Sequence, residues 1–111
     1  MECVFCKIVQ GKLGSEVVHE TENFLVVKDV HPQAPTHLLV IPRKHYPTLV
    51  DCGDPVVLQG LLSTAVEVAK KYSFAESGFR TVINTNREGG QTVFHLHMHI
   101  LGGRPLSEKM L

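Results

Sequence analysis

Residues from about Pro55 to Tyr72 form the one long helix-like segment of this chain, and it stands between two groups of short strand-like segments. Asp54 is placed as its N-cap and Pro55 at its first position, where a missing N–H costs nothing. Leu58, Leu61, Leu62, Ala65, Ala69 and Tyr72 make an apolar stripe at helical spacing. Lys70 and Lys71 suit the C-terminal end of the helix dipole. Ahead of the helix, Glu16–His19 and Phe24–Lys28 flank the polar Glu20-Thr21-Glu22-Asn23 as a hairpin, and His37–Ile41, between Pro35 and Pro42, reads as a strand covered on both faces. Behind it come two more strands, Phe79–Asn84 and Phe94–Leu101. A short helix over residues 3–10, ended by Gly11, opens the chain. Strands, then a helix, then strands again predict an antiparallel α+β domain rather than an alternating parallel α/β one.

The 111 residues contain no internal repeat and no linker, so one domain over residues 1–111 is expected. With 43% hydrophobic and 20% charged residues the chain has the composition of a folding sequence. Eleven basic and eleven acidic residues cancel, which leaves no broad positive field for nucleic acid or an anionic membrane and favours a small-molecule partner. No apolar run is long enough for a membrane helix, and Met1-Glu2-Cys3-Val4 does not begin a signal peptide, so the cytoplasm is the expected compartment. There the cysteines are thiols. Cys3-Val4-Phe5-Cys6 then reads as a metal half-site or a redox pair, and Cys52 as an ordinary thiol.

The chemistry is concentrated in His95-Leu96-His97-Met98-His99. On a strand, alternate side chains leave opposite faces, so the three histidines share one face while Leu96, Met98 and Ile100 share the other. Successive histidines lie roughly 6.6 Å apart, close enough for one phosphate to touch two of them. Two functions need such a row: a zinc site completed by a third ligand, or phosphoryl or nucleotidyl transfer with neutral imidazole as nucleophile. The adjoining Gly89-Gly90-Gln91-Thr92 favours the second, because flexible backbone, an amide and a hydroxyl are suited to lining donors on a phosphate.

These residues resemble the histidine triad superfamily, in its nucleotide-binding phosphoramidase branch. The match lies in His95-Leu96-His97-Met98-His99-Ile100-Leu101, in the segment from Asp29 through His37 to His45, and in Gly89-Gly90-Gln91-Thr92-Val93-Phe94, and it covers essentially the whole chain. The resemblance implies a five-stranded antiparallel sheet with one long and one short helix, and a homodimer whose two sheets join. It implies His97 as the nucleophile that forms a nucleotidyl-histidine, His99 as the residue that helps protonate the leaving group, and His37 as support from the neighbouring strand. Asn84, Gln91 and Thr92 match positions that hold the α-phosphate and leaving group. Asp29 matches the acidic residue on the ribose hydroxyls, and Phe5, Ile8, Val27 and Val30 the apolar slot for a purine. Zinc-binding members imply a structural zinc held by Cys3, Cys6, His45 and His95. The chain departs from some members in having no tryptophan and no aromatic tail between Pro105 and Leu111, which bears on the choice of leaving group.

The expected reaction is hydrolysis of purine nucleoside 5′-phosphoramidates or related AMP conjugates. A dinucleoside polyphosphate hydrolase would use the same histidines on a phosphoanhydride. A non-catalytic nucleotide-binding or scaffold protein would bind AMP without turnover, and a catalytic zinc enzyme would lose activity to a chelator.

Overall fold

The computed structural model describes residues 2–109; Met1, Met110 and Leu111 lie outside it, and with them the end of the tail that bears on leaving-group choice. Helix α1 spans Val4–Val9, followed by β1 (Val17–Glu20), β2 (Phe24–Lys28), β3 (Thr36–Pro42), a 3-10 turn (Leu49–Asp51), α2 (Pro55–Lys71), β4 (Phe79–Val82) and β5 (Met98–Gly102). The strands form one sheet in the order β1-β2-β3-β5-β4, with every neighbouring pair antiparallel. Among the described residues no helix is long and apolar enough to cross a membrane.

The sheet is covered on both faces. On one, Val26, Leu38, Val40, Leu96, Met98 and Ile100 pack against α2 through Leu61, Ala65, Val68 and Ala69. On the other, Leu25, Val27, Leu39 and Ile41 pack against α1 through Cys3 and Phe5. This two-sided burial accounts for the unbroken apolar runs of β2 and β3, which would alternate if one face met water.

Helix α2 begins where the sequence places it, with the Asp54 carboxylate accepting from Val56 N–H and Pro55 in the first turn. Its buried face is Val57, Leu61, Thr64, Ala65, Val68 and Ala69. Leu62 is 57% exposed and Tyr72 46%, so both expected stripe members leave the core. The physical reason is rotation: the packing face is set by i, i+4, i+7 and i+8 steps from Val57, and Leu62 falls beyond its edge. Tyr72 caps the helix instead, its hydroxyl donating to Val18 O at 2.6 Å. Gly60 has a packing role, since a Cβ there would run into the buried ring of Phe24.

Two strand boundaries are also corrected. The fourth strand stops at Val82, before Ile83 and Asn84, and the fifth begins only at Met98. Residues 93–95 form a bend, and Leu96 and His97 lead into the strand without a neighbour strand; Leu96 N–H bonds to Tyr46 O at 2.7 Å. Alternation nonetheless persists through this stretch. Leu96, Met98 and Ile100 all enter the core beneath α2, while His95 and His97 face Phe5 of α1.

Candidate active site

The alternating histidines open on a cleft of about 600 Å³ whose lining includes Phe5, Ile8, Val27, Asp29, Val30, His37, Thr92, His97 and His99. Helix α1 supplies one apolar wall, β2 and the loop after it a second, and the histidine strand the floor. Val30 stands at the rim, 79% exposed. Val4, Leu13, Gly14, Ser15, Lys28, His31, Gln33, Leu39 and Val93 complete the lining without having been foreseen. Most lie in connections, Leu39 on the covered face of a strand, and Val4 and Lys28 at the ends of elements, where no periodic pattern marks them.

Hydrogen bonds assign a proton to each imidazole. His97 Nδ1 lies 2.7 Å from the carbonyl oxygen of His95, so Nδ1 carries the hydrogen and donates it, leaving Nε2 with a free lone pair. Gln33 N–H donates to His37 Nδ1 at 2.9 Å, which puts the His37 proton on Nε2. That proton faces His99 Nδ1 at 2.9 Å, so His99 in turn carries its hydrogen on Nε2. Asp29 Oδ2 stands 3.3 Å from His37 Nε2, and its Oδ1 accepts from His31 N–H at 2.8 Å. The row is therefore one lone pair, on His97, beside one donor, on His99.

Burial depresses the basicity of this row. His97 is pushed below the ordinary histidine value by desolvation, against a weaker opposing bond to the His95 carbonyl and the charge of Asp29. His99 is pushed to about 4 by burial and then by the neighbouring His97 and His37 rings. Both imidazoles are neutral at pH 7, so His97 presents a lone pair and His99 an N–H. The Phe5 ring meets His97 edge-on, with centroids 4.8 Å apart at 89°, and restrains the imidazole further.

His95 is turned the other way. Fully buried, it donates Nε2–H to Pro42 O at 2.8 Å, which leaves its Nδ1 lone pair facing Cys3 Sγ at 3.4 Å, Cys6 Sγ at 3.5 Å and His45 Nδ1 at 3.1 Å. Cys6 Sγ is 3.3 Å from His45 Nδ1, and all four ligand atoms lie within 4.8 Å of one another. Donors on a tetrahedral zinc, at about 2.3 Å for sulfur and 2.0–2.1 Å for nitrogen, stand about 3.3–3.8 Å apart, so the cluster has the dimensions and donor set of a closed site. Burial and the neighbouring Cys3 sulfur push the Cys6 thiol up, an effect that a divalent cation reverses. Asp29, His37 and His99 also converge, but a metal on His37 Nε2 would move its proton to Nδ1 against Gln33 N–H. That second group is a hydrogen-bonded relay.

The glycine-rich loop differs from expectation. Gly90 N–H is spent on Arg87 O, Gln91 N–H on Asn86 O, and Asn84 donates to Gly89 O at 2.8 Å. The buried Gln91 amide donates to Pro47 O and Val93 O and accepts from Asn86 N–H. These groups tie the loop to itself and to the residues after β3. Of Asn84, Gln91 and Thr92, Thr92 lines the cleft.

A five-stranded antiparallel sheet with histidines at alternate positions along one edge of a cleft defines the histidine triad class. Residues 10–106 match the family model of the HIT domain, and the chain belongs to that family. It is 41% identical over 107 residues to the purine nucleoside phosphoramidase of Escherichia coli (strain K12), covering 95% of this chain and 90% of that protein. A solved HIT family hydrolase from Legionella pneumophila Philadelphia 1 has a TM-score of 0.93 at 44% identity, covering 97% of this chain and 98% of that one. A Zn-bound histidine triad family protein from Mycobacterium smegmatis has a TM-score of 0.85 at 34% identity, covering 100% and 81%.

Proposed function

We propose that this protein hydrolyses purine nucleoside 5′-phosphoramidates or related AMP conjugates through a nucleotidyl-histidine on His97. The observation that carries the reading is the 2.7 Å bond from His97 Nδ1–H to His95 O, which leaves the Nε2 lone pair on the one histidine between the Cys/His cluster and the donor His99. Nε2 attacks the α-phosphorus, and the leaving nitrogen takes the proton of His99 Nε2 as its bond to phosphorus breaks. Water then adds its hydroxyl to phosphorus as the bond to His97 Nε2 breaks, and its proton restores His99 Nε2–H. Two steps, each with a positioned nucleophile, replace one difficult displacement. His37 holds the tautomer of His99, and Thr92 contacts the phosphate. Asn84 and Gln91 serve the phosphate by fixing the loop that presents Thr92.

The nucleoside occupies the apolar walls, with the purine against Phe5, Ile8, Val27 and Val30 and the ribose hydroxyls on Asp29. The 41% identity to a purine nucleoside phosphoramidase supports this substrate class over dinucleoside polyphosphates. Zinc on Cys3, Cys6, His45 and His95 is structural in this reading; the near-tetrahedral spacing of the four donors supports it, as does the Zn-bound relative. A homodimer is supported by two features left open: the exposed apolar residues Leu62 and Val66 on α2, and β4 at the edge of the sheet.

The test is rapid quench of an adenosine 5′-phosphoramidate followed by peptide mapping, beside steady-state turnover of a diadenosine polyphosphate. A labelled adduct on His97 and preference for the phosphoramidate are expected. An adduct on His95 or His99, or faster cleavage of the polyphosphate, would overturn the assignment. AMP binding with no turnover of either substrate would identify a binding protein.

A further inference from the structure

His95 belongs to two networks at once. Its ring closes the Cys3, Cys6, His45 cluster, and its backbone carbonyl is the acceptor that fixes the tautomer of His97. The stretch carrying that carbonyl precedes β5, so no strand ladder sets its direction. The ring anchors it instead, through Nε2–H on Pro42 O at one end and Nδ1 in the cluster at the other. A second route runs through α1. Six residues are too few for a helix to be stable by itself, and this one is pinned by its N-cap, Cys3, whose sulfur accepts from Cys6 N–H at 3.3 Å. Between the two cysteines lies Phe5, buried, with its ring against His97.

From this double attachment we propose that the Cys3, Cys6, His45 and His95 cluster is a positioning element for the nucleophile, metal loading there holding His97 in its reactive tautomer and orientation. The proposal rests on the reading of His97 as nucleophile and of the cluster as a zinc site, and adds that the two are coupled. Without a cation, the Nδ1 atoms of His45 and His95, 3.1 Å apart, have no common centre to bind, and the His95 ring is held only at its Pro42 end. The ring loosens, and with it the carbonyl that His97 depends on. The sulfurs, no longer drawn to a common centre, release α1 and the Phe5 contact. His37 and His99 are held by Gln33 and by each other, and of this chain His99 meets only the His97 ring, at 5.1 Å between centroids. Metal loss therefore acts on attack at phosphorus and leaves the donor in place.

The experiment follows substrate-free wild type by long-range 15N–1H NMR of its imidazoles while zinc is removed by a chelator and returned by titration, with metal content measured in parallel. Circular dichroism monitors the fold, and single-turnover quench gives the rate of adduct formation. One zinc per chain is expected, with His97 a single Nδ1–H tautomer when loaded and a mixture when stripped. The adduct rate should fall about ten- to a hundredfold on stripping, the range typical of lost support around a site, and recover on readdition. The His99 tautomer should not change. Cys6→Ser should reproduce the stripped spectrum and rate. Stoichiometric uptake with no change in the His97 spectrum and adduct rate overturns the coupling but leaves the zinc assignment standing. No uptake overturns the zinc assignment itself, and the coupling with it. Unfolding of both the stripped protein and Cys6→Ser would also overturn the proposal, because the metal would then serve the whole fold rather than the nucleophile.

Discussion

His97 Nδ1–H donates to the backbone carbonyl of His95 over 2.7 Å, so the residue two positions earlier decides which His97 nitrogen keeps a free lone pair. Roles that look equivalent in a row of three histidines are thereby separated. His95 turns its lone pair to the Cys/His cluster, His97 keeps its own on Nε2, and His99 has its Nδ1 lone pair occupied by His37.

Replacing His97 with Ala should reduce turnover by about 10⁴–10⁶-fold, the scale seen when a covalent nucleophile is deleted. AMP affinity should change little, because Asp29 and the apolar walls remain. Quench kinetics and calorimetric titration with AMP check the two halves separately, and substantial turnover by His97→Ala would contradict the assigned role.

Acid should cost stability before it costs structure elsewhere. The folded value of His99 is about 4, against about 6.5 for an unperturbed histidine, so between those limits the unfolded chain binds more protons than the native one. Stability is then fully present above 6.5 and lost progressively as pH falls toward 4. The depressed value of His97 acts in the same direction and carries the acid limb of activity below 6.5, where an unperturbed imidazole would already be protonated. Melting temperatures from pH 7.5 to 4.5 should fall less steeply for His99→Gln than for wild type. Parallel slopes would count against a buried neutral His99.

Gln91→Ala tests whether that amide holds a loop or a phosphate. Its removal strips partners from Pro47 O, Val93 O and Asn86 N–H, and a loss of about 1–3 kcal/mol is expected from groups left unsatisfied. Denaturant titration measures it. A variant of unchanged stability but weakened phosphate binding would restore the direct role that the family resemblance implies.

The dimer is tested at Leu62 and Val66, which α2 exposes. Glutamate at both positions places two charges on that face without entering the core, so the monomer fold should survive while sedimentation shows a shift to single chains. A wild type that already sediments as a monomer at micromolar concentration would dispose of the dimer outright.

Much of this architecture was legible in the sequence because local chemistry dictates it. Asp54 before Pro55 starts a helix wherever it occurs in an amphipathic setting. Side chains at His97 and His99 share the face opposite Leu96, Met98 and Ile100 because successive residues of an extended chain alternate, and that held at Leu96 and His97, before the ladder begins. The helix face was misjudged at Leu62 because apolar character alone does not say which of two adjacent stripes meets the sheet; the place of Phe24 against Gly60 does. The division of labour among the histidines depended wholly on tertiary structure. Pro42 O, Gln33 N–H and the His95 carbonyl are backbone groups, the same in every residue that could stand there, and they leave no trace in composition or spacing. Only the folded chain brings Gln33 to His37, His37 to His99 and Pro42 to His95, and a hydrogen bond to one imidazole nitrogen decides what the other can do.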